Sequence, residues 1–115
     1  MSKKPLILGI ESSCDETAAS LITENEQGIP IVLSNIISSQ VEVHKEFGGV
    51  VPELAARSHM EKIDRIVQKA IDDSGRKIEE IDAVASTAGP GLIVCLSVGL
   101  SFGKAFASAL NKPFI

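Results

Sequence analysis

An apolar run followed by a cluster of polar residues constrains how this chain begins to fold. Leu6–Ile10 is continuously apolar, which predicts a central strand buried on both faces. Thr17–Thr23 is also compatible with a strand, so the two runs predict an antiparallel hairpin. The segment between them, Glu11–Glu16, contains hydroxyls and carboxylates rather than the Asn-Gly or Asp-Gly typical of structural turns. The hairpin is therefore either an ordinary solvated turn or one that holds a polar ligand.

Five further elements follow the hairpin. Three strands joined by short turns predict an antiparallel meander, and the rest of the chain adds two helices with a short buried strand between them. Pro suits the first turn of the first helix and Gly its C-cap. In order, these are a strand at Ile31–Gln40, a helix at Pro52–Ser74, a strand at Asp82–Thr87, a helix at Leu92–Leu110 and the start of a strand at Pro113–Ile115.

The second predicted helix is apolar around most of its circumference. Lys104 interrupts it, so a core or interface helix is favoured over a transmembrane span. Small residues recur every fourth position, which permits close helix packing. We expect part of this surface to pack against a partner chain, because one helix cannot hide so much apolar surface against a thin sheet. The predicted interface residues are Ile63, Val67, Val98, Gly99, Phe102, Gly103 and Phe106.

Composition excludes some function classes. The chain has 115 residues, enough for one small domain, and its net charge is −4, so it lacks an overall basic footprint for nucleic acid. It has no Trp or Tyr to stack on bases, and any RNA contact would need basic surface from a larger assembly. Cys14 and Cys95 lie in unlike settings, which favours a reducing cytosol over a disulfide framework.

The histidines do not form a recognisable metal motif. His44 and His59 are fifteen residues apart, and no His-Glu-x-x-His is present. The interpretation favoured by the sequence is a loop histidine and a histidine in the first turn of a helix, with no metal site in this chain. Ala88–Gly91 at a helix start is either an anion site or a tight strand-to-helix turn.

The predicted element order resembles a known superfamily. The order β-β-β-α-β-α-(β) is similar to the ribonuclease-H-like half-lobe of the actin, Hsp70 and sugar-kinase superfamily. Its halves carry a phosphate-binding hairpin between their first two strands. The resemblance implies that residues 1–115 form an incomplete, truncated N-terminal lobe and that the second lobe is absent.

Three blocks resemble one family specifically. They are ILGIESSCDET (Ile7–Thr17), FGGVVPELAARSH (Phe47–His59) and STAGPGLIVCLSVGLSFGKAFA (Ser86–Ala107). Together they are similar to the N-terminal part of the tRNA threonylcarbamoyladenosine synthase catalytic subunit, known as TsaD or Gcp and also as a glycoprotease. The family transfers threonylcarbamoyl from threonylcarbamoyl-AMP to N6 of the adenosine next to certain tRNA anticodons.

The resemblance implies roles for residues of the hairpin. Glu11 and Asp15 are expected to support catalysis, and Ser12 and Ser13 to contact the cofactor. In the family a divalent metal, iron or zinc, is held by a His-x-x-x-His pair and a distant Asp, none of which lies within this sequence. We therefore expect the chain alone to be inactive and to bind neither metal nor threonylcarbamoyl-AMP or ATP tightly.

The resemblance also implies partners. They are a paralogous actin-like subunit, an ATPase subunit and, through the full complex, tRNA. A homodimer of this chain through its helices is a further expectation. No contact with a membrane is expected. The implied location is the cytoplasm. Two alternatives stay open: a non-catalytic pairing module like the shorter paralogue TsaB, and a sugar- or acetate-kinase half-lobe. Glu11 disfavours the kinase, because that superfamily usually carries Asp in its first strand.

Overall fold

The fold combines a four-stranded sheet with two long helices. The computed structural model describes residues 4–40 and 48–115. Within those ranges the elements are β1 (Ile7–Glu11), β2 (Glu16–Glu24), β3 (Pro30–Ser39), α1 (Pro52–Ser74), a 3₁₀ turn (Ile78–Glu80), β4 (Ala83–Ser86) and α2 (Ile93–Leu110). The predicted mixed α/β class is confirmed. The predictions for His44 and for the irregular segment before residue 48 lie outside the described residues.

The strand order of the sheet is β3-β2-β1-β4. β1 pairs with β2 and β2 with β3 in antiparallel fashion, so the predicted meander is present. β1 and β4 are parallel, with Ile10 opposite Ser86. Because parallel strands bring their carboxyl ends to one edge of the sheet, Glu11 and Thr87 emerge side by side. This edge carries the candidate site.

Both helices pack on the same face of the sheet. Leu8 and Ile10 point to that face and are buried, and the Ser34 hydroxyl donates a hydrogen bond to the Ala70 carbonyl in α1 at 2.6 Å. On the opposite face Val32 is 60% exposed and Ile37 is 56% exposed. The prediction that β1 is buried on both faces is therefore wrong for the described residues, because its outward residues are only half-buried.

Local signals at both ends fix α1. Pro52 occupies the first turn, where its missing N–H costs nothing, and Glu53 lies near the positive end of the helix dipole. Gly75 ends the helix in the left-handed region at φ 74°, and its N–H donates to the Asp72 carbonyl. The helix has the predicted bounds. Its buried stripe faces the sheet and consists of Ala55, Ser58, His59, Ile63, Val67, Ala70 and Ile71.

Small residues let α2 lie close to the sheet. Gly99, Gly103 and Ala107 are buried, and a Cβ at Gly99 would lie 2.5 Å from the Ser12 Oγ. α2 has the length and the mean hydropathy, 1.7, of a membrane span. Its small-residue face is packed on β1 and β4, and 28% of the helix is buried in this fold.

The last residues begin a fifth strand. The Val84 N–H donates to the Pro113 carbonyl at 3.0 Å, and the Ile115 N–H donates to the Val84 carbonyl at 2.8 Å. Phe114 thereby forms a parallel bridge to Val84 in β4. The predicted start of a strand at Pro113–Ile115 is therefore confirmed as one bridge with two ladder hydrogen bonds.

Candidate functional site

The candidate site is the turn between β1 and β2, Ser12–Asp15, together with Glu11 at the end of β1. One Glu11 carboxylate oxygen accepts a hydrogen bond from the Ser13 N–H, and the other accepts from the Thr87 hydroxyl at 2.8 Å. The Thr87 N–H in turn donates to the Ile10 carbonyl at 3.0 Å. Glu11 therefore joins the β1–β2 turn to the segment that follows β4.

Glu11 carries its charge at neutral pH. Partial burial acts to raise the pKa of its carboxyl, but hydrogen bonds from Ser13 and Thr87, with a smaller contribution from His59, outweigh burial and lower it below the ordinary value. A carboxylate with a lowered pKa is a weak base and a strong hydrogen-bond acceptor. Its two oxygens together offer about four lone-pair positions, so they can accept from a ligand as well as from these protein donors.

Ser12 has a structural role that the sequence did not predict. Its side chain is 2% exposed; the hydroxyl donates to the Cys95 carbonyl at 2.7 Å and accepts from the Gly99 N–H at 3.0 Å. In a regular α-helix the carbonyl of one residue accepts from the N–H four residues later, and Cys95 and Gly99 are such a pair. The Ser12 hydroxyl therefore contacts both members of one hydrogen-bonding pair of α2. The prediction that Ser12 contacts a cofactor is thereby corrected, because its hydroxyl is buried and already both donates and accepts.

Ser13 holds the turn against the start of α2. Its carbonyl accepts from the Leu92 N–H at 2.8 Å. A Cβ added at Gly91 would lie 2.6 Å from the Ser13 carbonyl oxygen, so only glycine fits at that point without displacement. The segment Ala88–Gly91 is thus a tight turn packed on Ser13. The half-buried Ser13 side chain remains a candidate for cofactor contact.

Asp15 and Cys14 are held through their backbone carbonyls. The Asp15 carbonyl accepts from the Gln40 N–H at 2.8 Å, and the Cys14 carbonyl accepts from His59 Nε2 at 2.9 Å. The Asp15 side chain is half-buried and lies near enough to His59 to favour the charged imidazole. Asp15 thus lies on the same turn as Glu11, as the sequence predicted, and its catalytic role stays a prediction.

His59 is a buried member of α1, not a histidine of its first turn. It is eight residues into the helix and has no exposed surface. Its Nδ1 lies 2.7 Å from the Thr17 hydroxyl, and burial lowers the pKa of the imidazole below its ordinary value, against the opposing effects of the Cys14 carbonyl and Glu11. The interpretation from sequence, a histidine in the first turn, is wrong because His59 is the eighth residue of a helix that begins at Pro52.

A shallow polar groove adjoins Glu11 on the face of the sheet away from the helices. Its volume is about 230 Å³. Its polar lining consists of the Glu11 carboxylate, the hydroxyls of Ser20 and Thr87 and the amide of Asn35. The remaining lining residues are Gly9, Ile10, Ala18 and Ala19. Such a groove suits a small group that donates hydrogen bonds to a carboxylate.

The described residues offer no metal centre. Within residues 4–40 and 48–115 no group of three His, Cys, Asp or Glu side chains is placed to hold an ion. His59 already contacts protein through both ring nitrogens. Cys95 is buried, and burial, with Cys14 nearby, raises the pKa of its thiol. A thiol with a raised pKa is a poor metal ligand at neutral pH.

A second, apolar groove runs between the two helices. Its volume is about 480 Å³, and it is lined by Ala56, Met60, Ile63, Val94, Ser97, Val98, Ser101 and Phe102. Met60 is 62% exposed and Ile93, at the start of α2, is 80% exposed. Such a patch of exposed apolar residues is typical of an interaction surface.

The predicted interface residues divide into two groups. Ile63, Val67, Gly99 and Gly103 are buried, because they face this chain's own sheet. The assignment of Val67, Gly99 and Gly103 to a partner surface is corrected. Ile63 is buried but lines the groove, so it stays a predicted interface residue. The half-buried residues Val98, Phe102 and Phe106 remain predicted interface residues. The exposed residues missed by the sequence interpretation are Met60, Ile93 and Val94.

Solved structures define the fold class. YeaZ from Pseudomonas aeruginosa superposes with a TM-score of 0.68 at 17% identity, over 96% of this chain and 42% of that one. A second structure, an uncharacterized protein with similarity to peptidase YEAZ from the same organism, gives 0.67 at 19% identity, with the same coverage. The chain therefore has an actin-like α/β fold.

Sequence comparison identifies the family. Residues 31–115 match the family described as "TsaD: tRNA N6-adenosine threonylcarbamoyltransferase", and the chain belongs to it. A curated tRNA N6-adenosine threonylcarbamoyltransferase from Pelagibacter ubique is 80% identical over all 115 residues, which are 32% of its length. One from Brucella canis is 55% identical over 108 residues, covering 94% of this chain and 30% of that protein. The chain thus spans about a third of the length of these relatives.

Proposed function

We propose that this chain is the N-terminal part of an enzyme that transfers threonylcarbamoyl from threonylcarbamoyl-AMP to N6 of an adenosine next to a tRNA anticodon. The observation that carries the proposal is the 80% identity to a curated enzyme of that name across every residue of the chain. The same match favours the enzyme over a non-catalytic pairing module, since the likeness to YeaZ is below 20% identity.

In this reaction the N6 amine attacks the carbamoyl carbon of the mixed anhydride. A carbon–nitrogen bond forms, the carbon–oxygen bond to AMP breaks, and the amine loses a proton. Glu11 is suited to orient a donor, such as the amine or a ribose hydroxyl, rather than to remove the proton, because its lowered pKa makes it a weak base. Asp15 and Ser13, on the adjoining turn, are proposed to support the same contact.

The wider fold and the cofactors are proposed on the same basis. The lobe is ribonuclease-H-like, with Phe114 in its fifth strand. The described residues hold no three-ligand cluster for the family's iron or zinc. We propose that its ligands and most of the site for threonylcarbamoyl-AMP or ATP belong to other parts of the full-length enzyme. We place the enzyme in the cytoplasm, where its tRNA substrate is.

The groove between α1 and α2 is proposed to bind a paralogous actin-like subunit. A partner with a similar pair of helices would cover Met60, Ile93 and Val94, which are otherwise exposed apolar residues. The YeaZ-like fold supports this pairing, because a partner of the same fold would carry a similar pair of helices. An ATPase subunit and tRNA are proposed to join through the complete complex.

A chimera tests the proposed activity. The 115 residues would replace the matching N-terminal third of the Pelagibacter ubique relative, and threonylcarbamoyladenosine would be measured in tRNA by nucleoside mass spectrometry. We expect rates within about tenfold of the parent enzyme, since a tenfold change corresponds to only about 1.4 kcal/mol. A folded chimera without product, beside an active parent, would refute the proposal.

A further inference from the structure

We propose that His59 is a positioning residue that fixes the β1–β2 turn, and with it Glu11, through a neutral imidazole protonated on Nε2. The inference rests on the proposed function only in treating that turn as part of a catalytic site. The contacts that support it come from three different elements and are independent of any ligand.

Three successive carbonyls of the turn are each held by a different part of the chain. The Ser13 carbonyl accepts from Leu92 at the start of α2, the Cys14 carbonyl from His59 in α1, and the Asp15 carbonyl from Gln40 after β3. Two of these donors are backbone amides. His59 is the one side-chain donor of the three, so this part of the turn depends on a residue that a substitution can remove.

The contacts define one tautomer. The Cys14 carbonyl can only accept, so Nε2, at 2.9 Å, must carry the proton. In the neutral ring Nδ1 is then an acceptor, and it lies 2.7 Å from the Thr17 hydroxyl and 3.4 Å from Gln40 Nε2. Gln40 Nε2 also donates to the Ala55 carbonyl at 3.3 Å. Every polar atom of the ring is thus matched to a protein group.

The position of His59 is also unusual for simple packing. It lies on the buried stripe of α1, with Ala55 four residues before it and Ile63 four residues after it, and it has no exposed surface. An aliphatic residue there would avoid the cost of burying a polar ring. The imidazole instead uses its donor to hold a loop, which an aliphatic side chain cannot do.

Neighbouring charges act on the imidazole in both directions. Among the described residues Glu11 and Asp15 favour the charged form, whereas Lys62 and burial oppose it, and burial prevails. A proton added to Nδ1 would face Thr17 and Gln40. The Thr17 hydroxyl can rotate to accept, but the amide nitrogen of Gln40 cannot. Protonation therefore costs the contact with Gln40, whereas the Nε2–H bond to the Cys14 carbonyl, which favours the charged ring, is retained.

Amide hydrogen exchange tests the positioning role directly in this chain. The amides of Leu92 and Gln40 report on the turn, because their acceptors are its carbonyls. His59→Phe should raise their exchange rates roughly tenfold or more beyond the global change, since a local hydrogen-bond anchor is lost. His59→Gln, which keeps a donor, should restore most of the protection.

Val67→Ala is the matched control. It removes buried volume from the same helix without touching the turn. Equal exchange at Leu92 and Gln40 in the His59→Phe and Val67→Ala variants, compared at equal global stability, would overturn the proposal. So would nitrogen NMR that finds a proton on Nδ1 at neutral pH.

The activity of chimera variants separates this inference from the proposed function. In the active chimera His59→Phe should lower kcat by about tenfold, because the Cys14 carbonyl loses its donor, and His59→Gln should restore most of the rate. A chimera with native His59 that is folded but inactive would refute the transferase proposal and leave the exchange test standing. An active, folded chimera whose kcat is unchanged by His59→Phe would refute the positioning role.

Discussion

Gly99→Ala tests how closely α2 is held to the site. The added Cβ would lie 2.5 Å from the Ser12 Oγ, well inside van der Waals contact, and 3.5 Å from Ile10 Cγ2, an ordinary contact. On an open helix the change would stabilise by about 1 kcal/mol through helix propensity. Here the added methyl group can overpack the contact, which costs about 1–3 kcal/mol of stability. Alternatively it displaces the Ser12 hydroxyl, whose two hydrogen bonds contribute about 1 kcal/mol each.

The expected net result is a loss of roughly 1–3 kcal/mol in the free energy of unfolding, or about 5–15 °C in melting temperature. Ser12→Ala alone should cost only about 1 kcal/mol, because the Cys95 carbonyl and Gly99 N–H can then pair with each other. In that background the Cβ of Gly99→Ala meets the Cβ of residue 12 and Ile10 Cγ2, both at 3.5 Å, which is ordinary contact. The double variant should therefore approach wild-type stability, with a coupling energy of about 2 kcal/mol.

Chemical denaturation of the four proteins in the cycle measures this coupling. Ser101→Ala, at an exposed position on the same helix, is the control and should change stability by less than about 0.5 kcal/mol. If Gly99→Ala stabilises the chain, or if the two changes are additive, the contact between α2 and the turn does not have the geometry described.

Three further predictions concern the turn, the titrating groups and the helix groove. Gly91→Ala should destabilise the chain by about 1–3 kcal/mol through its clash with the turn, whereas Gly49→Ala, with open space around it, should be tolerated in the same thermal melts. Folding lowers the pKa of both His59 and Glu11, so the free energy of unfolding should be greatest above pH 6.5. It should fall as acid protonates His59 and then, below pH 4.5, Glu11. Melting temperatures that stay constant between pH 6.5 and 4 would contradict this. Met60→Lys should leave the melting temperature unchanged and weaken pairing with an actin-like partner about tenfold or more in sedimentation, and unchanged pairing would contradict the proposed interface.

The elements with strong local signals could be predicted from the sequence. Pro52 and Gly75 mark the two ends of α1 by backbone chemistry alone, so the helix has its predicted bounds. Period-two alternation and continuous apolar runs located the strands of the meander to within one or two residues. The hairpin turn with Glu11 was located as well, because its polar composition differs from that of an ordinary structural turn.

The errors arose where a residue's role depends on contacts distant in sequence. Ser12 belongs to the polar turn in sequence, but its hydroxyl is buried against Cys95 and Gly99, more than eighty residues away. The repeat of small residues in α2 correctly indicated close packing but not which surface is packed, and that surface is the chain's own sheet. Thr87 was predictable in principle, since it follows a strand parallel to β1 and so lies at the same edge as Glu11.

The role of Glu11 in transfer is the central claim, and one comparison tests it most directly. In the chimera with the Pelagibacter ubique relative, Glu11→Gln keeps the shape of the side chain and removes its charge, and Ser108→Ala, at an exposed position outside both grooves, serves as the control. We predict that the Glu11→Gln chimera stays folded and forms threonylcarbamoyladenosine roughly 10- to 100-fold more slowly, as expected when a charged acceptor worth about 1.5–3 kcal/mol is lost. Product formed at the rate of the unsubstituted chimera would contradict the claim.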